Sequence, residues 1–352
     1  MAKERLFDLP ETKGEFKLRG LVQGTAKDDF FKSKVTKTKK PMNLLKFGVQ
    51  TDEDNLVNVS LNGMARDEAF FYKKAEEKEK KGIVKRIPWA NRLSFNESGF
   101  NLIGIKVGVK KTLDENGIEK NDTKTYTEYD ACEELRNNLT DGLGVFVRGN
   151  LEFSSFTNTK DNGEVEIKRS TKFVPNQISA VTKPVDFSEE DFVATNDFQQ
   201  TIIIMEVTKD QEDDKGIVSA KIVTYNTIED AEFVVRNRKL FKNLKSLKPY
   251  TAIKVWGNII NKAVVEEVVE DDGWGESNSF DVTNTYIKEL EITGADKDSI
   301  DKETYCQSNM DEALEKIRNN EKASNDFGSN TSDDWGVNPS GNSTDEEDEG
   351  WD

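Results

Sequence analysis

The chain contains one short strand pattern twice, and each copy follows a segment with helical character. Residues 145–150 read VFVRGN and residues 253–258 read IKVWGN. Both copies carry valine or isoleucine at alternate positions, which is the period of a β-strand, and both end in Gly-Asn. The pattern predicts two related halves rather than one continuous domain.

The elements around the two copies also occur in the same order. In the N-terminal half, the order β-β-β-α-β-β is predicted at residues 15–22, 44–49, 56–61, 131–139, 144–153 and 168–174. In the C-terminal half, the same order is predicted at residues 201–207, 218–225, 232–235, 239–247, 251–260 and 286–293. Five strands with a helix between the third and fourth is the order of the OB-fold. The predicted fold class is therefore mainly β, with two tandem OB-type β-barrels.

The remaining segments complete the predicted domain organisation. A long polar insertion interrupts the first barrel at about residues 64–127, and an acidic stretch without periodicity predicts a linker. The last residues are mostly Asn, Ser, Gly, Asp and Glu, a composition that predicts disorder. The predicted parts are an OB-fold domain at 14–183, a linker at 184–199, a second OB-fold domain at 200–299, a short helix at 300–320 and a disordered acidic tail at 321–352.

Composition narrows the classes of function. The chain has no histidine, which removes the commonest general base and the commonest zinc ligand. Cys132 and Cys306 are far apart and predict neither a disulfide framework nor a zinc site. No apolar run has the length of a membrane span, and the first residues lack the apolar core of a signal peptide. We therefore expect a cytoplasmic protein that is not an enzyme, with no cofactor and no metal ion.

The formal charge of −17 is unevenly distributed along the chain. Residues 27–46 contain seven lysines against two aspartates, and residues 66–92 contain nine lysines or arginines against five acidic residues. Residues 321–352 contain ten acidic residues and one lysine. The basic segments indicate contact with phosphates, whereas the acidic end indicates a different role.

The first candidate surface is the basic loop predicted after the first strand. Single-strand binding requires cations for the phosphates and exposed aromatic rings on which bases stack. This loop contains both, in the form of Phe30, Phe31, Lys32, Lys34, Lys39 and Lys40. A solvated loop with one phenylalanine tucked beneath it explains the same residues.

Two further groups of residues extend the predicted interface. In the insertion, Trp89 lies between Arg86 and Arg92, and it is either a stacking ring or a cap on the barrel edge. On the strands, charged or aromatic residues alternate with apolar ones and are predicted to face outward, where OB-folds contact nucleic acid. These strand residues are Lys17, Arg19, Lys46, Arg148, Lys254 and Trp256.

The acidic tail carries tryptophans that have no core to enter. A tryptophan in such a segment is suited to anchoring a basic, hydrophobic pocket on another protein. The tail also has the charge to compete with DNA for a basic groove, and a purely solubilising tail is the alternative. The predicted partner-binding residues are Trp335, Asp345, Glu346, Glu347, Asp348, Glu349, Trp351 and Asp352.

The arrangement resembles single-stranded-DNA-binding proteins of tailed bacteriophages that infect Gram-positive hosts. More loosely, it resembles bacterial SSB, in which an OB core precedes an acidic tail ending in or near an aromatic residue. Runs such as residues 173–178 (FVPNQI) and 224–231 (TYNTIEDA) are similar to those of such replication proteins. The resemblance implies coating of exposed single strands in the host cytoplasm and recruitment of replication or recombination proteins through the tail. The oligomeric state stays open.

Two other classes of function remain as alternatives. One is an acidic interaction protein or DNA mimic without affinity for single strands, which the net charge favours. The other is a metal-dependent nuclease, for which Glu166, Lys168 and Asp141 provide a fragmentary carboxylate–lysine motif. Such short fragments arise freely in a chain with one-third charged residues. P-loop and dinucleotide-binding motifs are absent from the sequence.

Overall fold

The computed structural model describes residues 5–75, 81–115, 117, 119–159, 165–210, 214–266 and 283–326, and it is mainly β. The elements of the N-terminal half are β1 (Gly14–Gln23), β2 (Phe31–Val35), β3 (Pro41–Gln50), β4 (Leu56–Met64), β5 (Glu68–Lys73), β6 (Ile83–Pro88), β7 (Asn101–Leu102), β8 (Ile105–Gly108), β9 (Lys111–Leu113), β10 (Glu119–Asn121), β11 (Lys124–Tyr126), α1 (Glu128–Asn138), β12 (Gly144–Thr159) and β13 (Val165–Ala180). A single turn of 3₁₀ helix, Trp89–Asn91, follows β6.

The C-terminal half is shorter and has no insertion among its described elements. Its elements are β14 (Thr195–Lys209), β15 (Gly216–Val223), β16 (Ile228–Val235), α2 (Arg238–Lys245), β17 (Thr251–Glu266), β18 (Thr283–Asp301) and α3 (Gln307–Asp326). No helix in the described ranges has both the length and the apolar character needed to cross a lipid bilayer.

Each half closes a cycle of five paired strands. In the N-terminal half, β1 pairs with β3, β3 with β4, β4 with β13, β13 with β12, and β12 with β1. In the C-terminal half, the cycle runs β14, β15, β16, β18, β17 and back to β14. In both cycles the third strand pairs in parallel with the fifth, and all other pairs are antiparallel. The two halves therefore share one strand topology, as the repeated pattern predicts.

The glycine of the repeated pattern has a backbone role in both halves. Gly149 and Gly257 lie where the register of the last hairpin shifts, which marks a β-bulge. A Cβ atom at Gly149 would come within 2.0 Å of the carbonyl oxygen of Val174, and one at Gly257 within 1.7 Å of that of Glu291. Only glycine allows the two strands to approach so closely at these points.

The two first strands, β1 and β14, join the halves. Residues 14–19 of β1 pair antiparallel with residues 195–200 of β14, so one hydrogen-bonded sheet continues through both cycles. The buried core is also continuous. Phe233 packs against Phe198 of its own half at 5.9 Å and against Phe153 of the N-terminal half at 6.1 Å, measured between ring centroids. The halves therefore form one packed body.

Each helix between the third and fourth strands packs on its own half. In α1, the hydroxyl of Thr127 accepts a hydrogen bond from the backbone N–H of Asp130 and caps the helix, and the apolar side packs against β3 and β4. The α2 helix is capped by Asn237 and buries Leu244. A separate apolar cluster joins the N-terminal segment to α3, where Phe7 and Met310 are buried together.

The last hairpin of each half extends across to the other half. The backbone N–H and hydroxyl of Ser155, on β12, donate to Glu229 on β16. In the opposite direction, Asn261 on β17 donates from its backbone N–H to Asn55 and from its side chain to the carbonyl oxygen of Leu56. Hairpin β12–β13 therefore lies against β16, and hairpin β17–β18 lies against the beginning of β4.

Several predicted boundaries were wrong. The lysine-rich segment predicted as a loop contains β2, which pairs with β3 along its whole length. Strand β14 begins at Thr195, inside the predicted linker, because both of its edges find partners in β1 and β17. Strand β18 and α3 both extend beyond their predicted ends. The predicted tail from residue 327 onward lies outside the described residues.

We expect Asn55→Ala to lower the free energy of unfolding by roughly 1–3 kcal/mol, because it leaves the partly buried backbone N–H of Asn261 without its acceptor. Asn55 is 1% exposed and also donates to the carbonyl oxygen of Ile259. Urea denaturation measures the change. Asn150→Ala, at an exposed position of β12, is the control. Equal stability of the two variants would show that these contacts between the halves contribute nothing.

Candidate nucleic-acid interface

Three lysines predicted to bind DNA share one outer surface of β2 and β3. In the antiparallel register, Lys32 lies opposite Leu44, and side chains opposite each other point to the same face. Lys34 and Lys46 are each two residues from this pair, on the same side of their strands. All three lysines are exposed, and none has an ion pair among the described residues. We call Lys32, Lys34 and Lys46 the lysine face.

The neighbouring strand β4 contributes only uncharged polar groups to this surface. Ser60 lies opposite Lys46, and Asn62 lies opposite Leu44. Asn58 follows on the same side of β4. Sequence reasoning did not identify these three residues, although the signal was present: every outward position in residues 56–62 (LVNVSLN) is uncharged. The lysine face therefore has no carboxylate on the adjoining described strand to neutralise it.

The equivalent surface of the C-terminal half, on β15 and β16, has the opposite character. Lys221 forms an ion pair with Asp230 at 2.8 Å. Glu232 lies 3.7 Å from Arg169, which reaches it from hairpin β12–β13. Charges on this surface are thus paired within the protein, and a hairpin from the other half lies against β16. Among the described residues, lysines without an ion pair occur at this surface in the N-terminal half and not in the C-terminal half.

A second group of predicted residues lies on the outer face of the sheet that joins the halves. Lys17 lies opposite Arg148, and Trp256 lies opposite Gln199. Trp256 is 43% exposed, so its ring is accessible as predicted. This face is electrostatically mixed, because Glu15 forms an ion pair with Arg148 at 2.7 Å. The other predicted residues on this sheet are Arg19, which donates to the carbonyl oxygens of Lys183 and Pro184, and Lys254.

The two adjacent phenylalanines at the start of β2 do not form an exposed stacking surface. Phe30 is 7% exposed and belongs to the core, so its prediction as a base-stacking residue was wrong. Phe31 is half-buried, and the guanidinium of Arg136 lies 4.4 Å from its ring centroid. One face of Phe31 is therefore already occupied by a cation.

Two more lysines lie at the β2–β3 turn. Lys39 is exposed and has a φ of 62°, in the left-handed region. Lys40 forms an ion pair with the exposed Asp67 at 3.0 Å. A surface pair of this kind is weak, so Lys40 remains able to exchange its partner for a phosphate.

The insertion differs most from the prediction. Arg92 donates two hydrogen bonds to the carboxylate of Asp130, at 2.8 and 2.6 Å, and the two side chains are only 15% and 10% exposed. The hydrogen bond to Asp130 raises the pKa of Arg92 above its ordinary value. Arg92 therefore fixes the insertion to α1 and is not available to a phosphate, which corrects its predicted role.

Trp89 is held by the same contacts. The Arg92 guanidinium lies 4.3 Å from the Trp89 ring centroid, and Tyr129 packs edge-on at 6.3 Å. Trp89 is partly buried, and one ring face is covered, so it fits the alternative role of a cap on the barrel edge. Arg86, in contrast, is 66% exposed and stacks on Phe70.

The tail residues predicted to bind partners cannot be placed by the structure. Trp335, Trp351 and the acidic run from Asp345 to Asp352 lie outside the described residues. The interpretation of the tail as a partner-binding segment stays a prediction.

The residues of the nuclease alternative are not brought together with other ligands. Glu166 and Lys168 are exposed on hairpin β12–β13, while Asp141 accepts a hydrogen bond from the backbone N–H of Thr25. Within the described ranges, no group of three or more acidic or cysteine side chains is arranged to hold a metal ion. Burial raises the pKa of Cys132 to about 12, so this thiol is a core group.

The fold and the site define a mainly β protein with an uncompensated cationic strand face. Residues 74–330 match the YorF family, and the chain therefore belongs to that family. A search of curated proteins gives no match.

Among solved structures, two forms of the single-stranded DNA binding protein from Thermus aquaticus are similar. A deletion variant has a TM-score of 0.36 and 12% identity, covering 81% of this chain and 94% of that chain. The wild-type protein has a TM-score of 0.35 and 10% identity, covering 82% and 93%. At scores this low, the superpositions do not assign a fold or a function.

We expect Arg92→Ala to lower the free energy of unfolding by about 3 kcal/mol, because it leaves the nearly buried Asp130 carboxylate without its cation. Arg86→Ala, which removes an exposed arginine from the same insertion, should change stability by no more than about 0.5 kcal/mol. Guanidinium denaturation of both variants gives the comparison. If Arg92→Ala were as stable as Arg86→Ala, the structural role assigned to Arg92 would be wrong.

Proposed function

We propose that this protein binds single-stranded DNA without sequence preference and that the lysine face is its main contact. The observation that carries the proposal is the placement of Lys32, Lys34 and Lys46 on one exposed surface whose neighbouring strand has no carboxylate. Lysines with no internal partner attract phosphates and release counterions when they bind them. The paired charges on β15 and β16 support the N-terminal half as the main binder.

We further propose that each strand cycle is an OB-type barrel. The order of strands and the parallel pairing of the third strand with the fifth support this interpretation. The lysine face lies on β3, the second strand of its cycle, and on the adjoining β2, and it borders β4, the third strand. OB-folds bind oligonucleotides on their second and third strands. A DNA strand extended over this surface would contact the lysines with its phosphates. Its bases and sugars would contact the amide and hydroxyl groups.

The same proposal gives the remaining predicted residues a secondary role. Lys39 and Lys40 extend the lysine face at the β2–β3 turn, and Arg86 continues it into the insertion. The outer face of the sheet that joins the halves is a second contact for a longer DNA strand. It includes Lys17, Lys254 and the exposed ring of Trp256. Sequence independence follows because every base offers a π-face and every nucleotide a phosphate.

The tail is proposed to recruit other proteins. Residues 327–352 contain eight acidic residues and no lysine or arginine, together with Trp335 and Trp351. This combination of charge and aromatic anchors suits a basic, hydrophobic pocket on a partner. In a bacterial cytoplasm, the partners would be replication or recombination proteins that act on exposed single strands.

Fluorescence anisotropy with labelled oligo-dT and with duplex DNA tests the main proposal. We expect tight binding to oligo-dT, much weaker binding to the duplex and a steep dependence on salt. The same titrations are repeated with added divalent metal. Loss of the labelled strand would support a nuclease, and no binding to either DNA would support an acidic interaction protein.

Replacing Lys32, Lys34 and Lys46 together by Ala is expected to weaken binding to oligo-dT by roughly 10- to 50-fold at physiological salt, since three phosphate contacts are lost. The slope of log affinity against log salt should fall in magnitude by about 2. The matched control replaces Lys239 and Lys242 in α2 and Lys248 just after it, three exposed lysines, and has the same change in charge. Equal loss in both variants would point to net charge and would remove the lysine face from the site.

Removing residues 327–352 is expected to leave affinity for oligo-dT unchanged or to increase it, because the segment carries only negative charge. Capture of replication or recombination proteins from a host extract should be lost at the same time. The control substitutes Trp335 and Trp351 by Ala and keeps the charge. A truncated protein that no longer binds oligo-dT would contradict the proposed separation of the two roles.

A further inference from the structure

Hairpins β12–β13 and β17–β18 occupy equivalent positions in their halves, and each crosses to the other half. Leu151 and Ile259 each lie two residues after the bulge glycine, and they pair with Phe173 and Leu290 respectively. Phe173 and Leu290 are therefore equivalent. Four residues before each of them, on the same side of the strand, the two hairpins carry Arg169 and Tyr286.

The strands that face the hairpins can be aligned in the same way. In the N-terminal half, Phe173 meets Val59 of β4, and in the C-terminal half, Glu291 meets Val234 of β16. Phe173 is equivalent to Leu290, which precedes Glu291 by one residue. Val59, the partner of Phe173, is therefore equivalent to Phe233, the residue before Val234. The residues one position earlier on β4 and β16 are then also equivalent, and they are Asn58 and Glu232.

The chemistry at these equivalent positions is different. Arg169 of hairpin β12–β13 forms its ion pair with Glu232, so the charges on that side are satisfied within the protein. On the other side, Tyr286 takes the place of the arginine and Asn58 the place of the glutamate. Tyr286 is 60% exposed, so much of its ring is not packed against the protein. The ion pair of Arg169 with Glu232 is thus replaced on the other side by an exposed aromatic ring and an amide side chain.

Tyr286 is part of a groove that both halves form. The groove has a volume of about 670 Å³ and includes Asn58 from β4 as well as Tyr286 and Lys288 from β18. Asn58 lies on the same side of β4 as Ser60, the residue opposite Lys46, so the groove adjoins the lysine face. Carboxylates at the groove are already paired: Asp230 with Lys221, Glu232 with Arg169 and Glu289 with Lys215.

Lys288 adds a cation beside the ring. Its ammonium lies 6.0 Å from the Tyr286 ring centroid, and Lys288 is exposed. Among the described residues, it has no ion pair. An exposed ring next to an unpaired lysine is the combination on which an unpaired base stacks while its phosphate is neutralised.

We propose that hairpin β17–β18 of the C-terminal half completes the DNA site of the N-terminal half, with Tyr286 stacking on a base and Lys288 contacting a phosphate. This inference rests on the proposed binding of single-stranded DNA. In this proposal, the bound DNA strand runs from the lysine face past Asn58 into the groove. The hydrogen bonds of Asn55 and Asn261 hold the hairpin in place. The C-terminal half thereby contributes to binding although the charges on its own β15–β16 surface are paired within the protein.

The test uses the full-length chain and labelled oligo-dT. Tyr286→Ala is expected to weaken binding by roughly 5- to 100-fold, the effect of losing one stacked base, whereas Tyr286→Phe should keep affinity within about 2-fold. Tyr225→Ala is the matched control, since Tyr225 is a 43% exposed tyrosine of the same half that lies near Arg5 and away from the groove. Lys288→Gln should weaken binding and reduce the salt dependence.

A direct readout accompanies the affinities. Ultraviolet cross-linking of an oligonucleotide that contains 5-iododeoxyuridine, followed by mass spectrometry, should identify Tyr286 as an attachment site. Wild-type binding together with unchanged affinity in Tyr286→Ala and no cross-link would overturn the role of the hairpin and leave the proposed function intact. Failure of the wild-type chain to bind oligo-dT would instead remove the proposed function and this inference together. Thermal unfolding of each variant verifies that it is folded.

Discussion

The pairing of β1 with β14 is the constraint on which the rest of the structure depends. One edge of β1 is covered by β12, and the other is divided between β14 and β3. Without β14, residues 14–19 would present unpaired backbone N–H and C=O groups as an open sheet edge. The pairing satisfies both strands at once and fixes the relative position of the two halves. The crossing hairpins can then form specific contacts on the opposite half.

The two halves have the same topology but differ in whether the charged side chains described on their surfaces have ion-pair partners. On β15 and β16, Lys221 lies beside Asp230 and Glu232 lies beside Arg169, so the charges on this surface have partners within the protein. On β3 and β4, Lys46 has neutral neighbours, and the corresponding hairpin brings Tyr286 instead of a charged group. The duplicated scaffold therefore presents paired charges on β15 and β16, and lysines without a neighbouring carboxylate on β2 and β3.

Sequence patterns predicted the architecture better than the site. The repeated VFVRGN-like strand and the alternation around it were enough to predict the element order, because strand periodicity is local. The pairing of Arg92 with Asp130 was not predictable, since the two residues are thirty-eight positions apart and meet only in the folded chain. Lysine-rich β2 was missed because four of its five residues are exposed and none is fully buried, so its sequence lacks the usual alternation of buried and exposed positions. Phe30 precedes β2 and packs into the core, whereas Phe31 is half-buried beneath Arg136, and neither contact could be predicted from two adjacent phenylalanines in a lysine-rich segment.

A chain with a formal charge of −17 can still bind a polyanion, because binding depends mainly on the charges close to the contact. At physiological salt the Debye length is about 8 Å, so a bound phosphate interacts mainly with the lysines of the contacted face and only weakly with distant carboxylates. At low salt this screening is lost, and the overall negative field opposes the approach of DNA while the local contacts become stronger. The position of lysines relative to their nearest carboxylates therefore matters more than their number. On β2 and β3 those carboxylates are missing, whereas on β15 and β16 they are present.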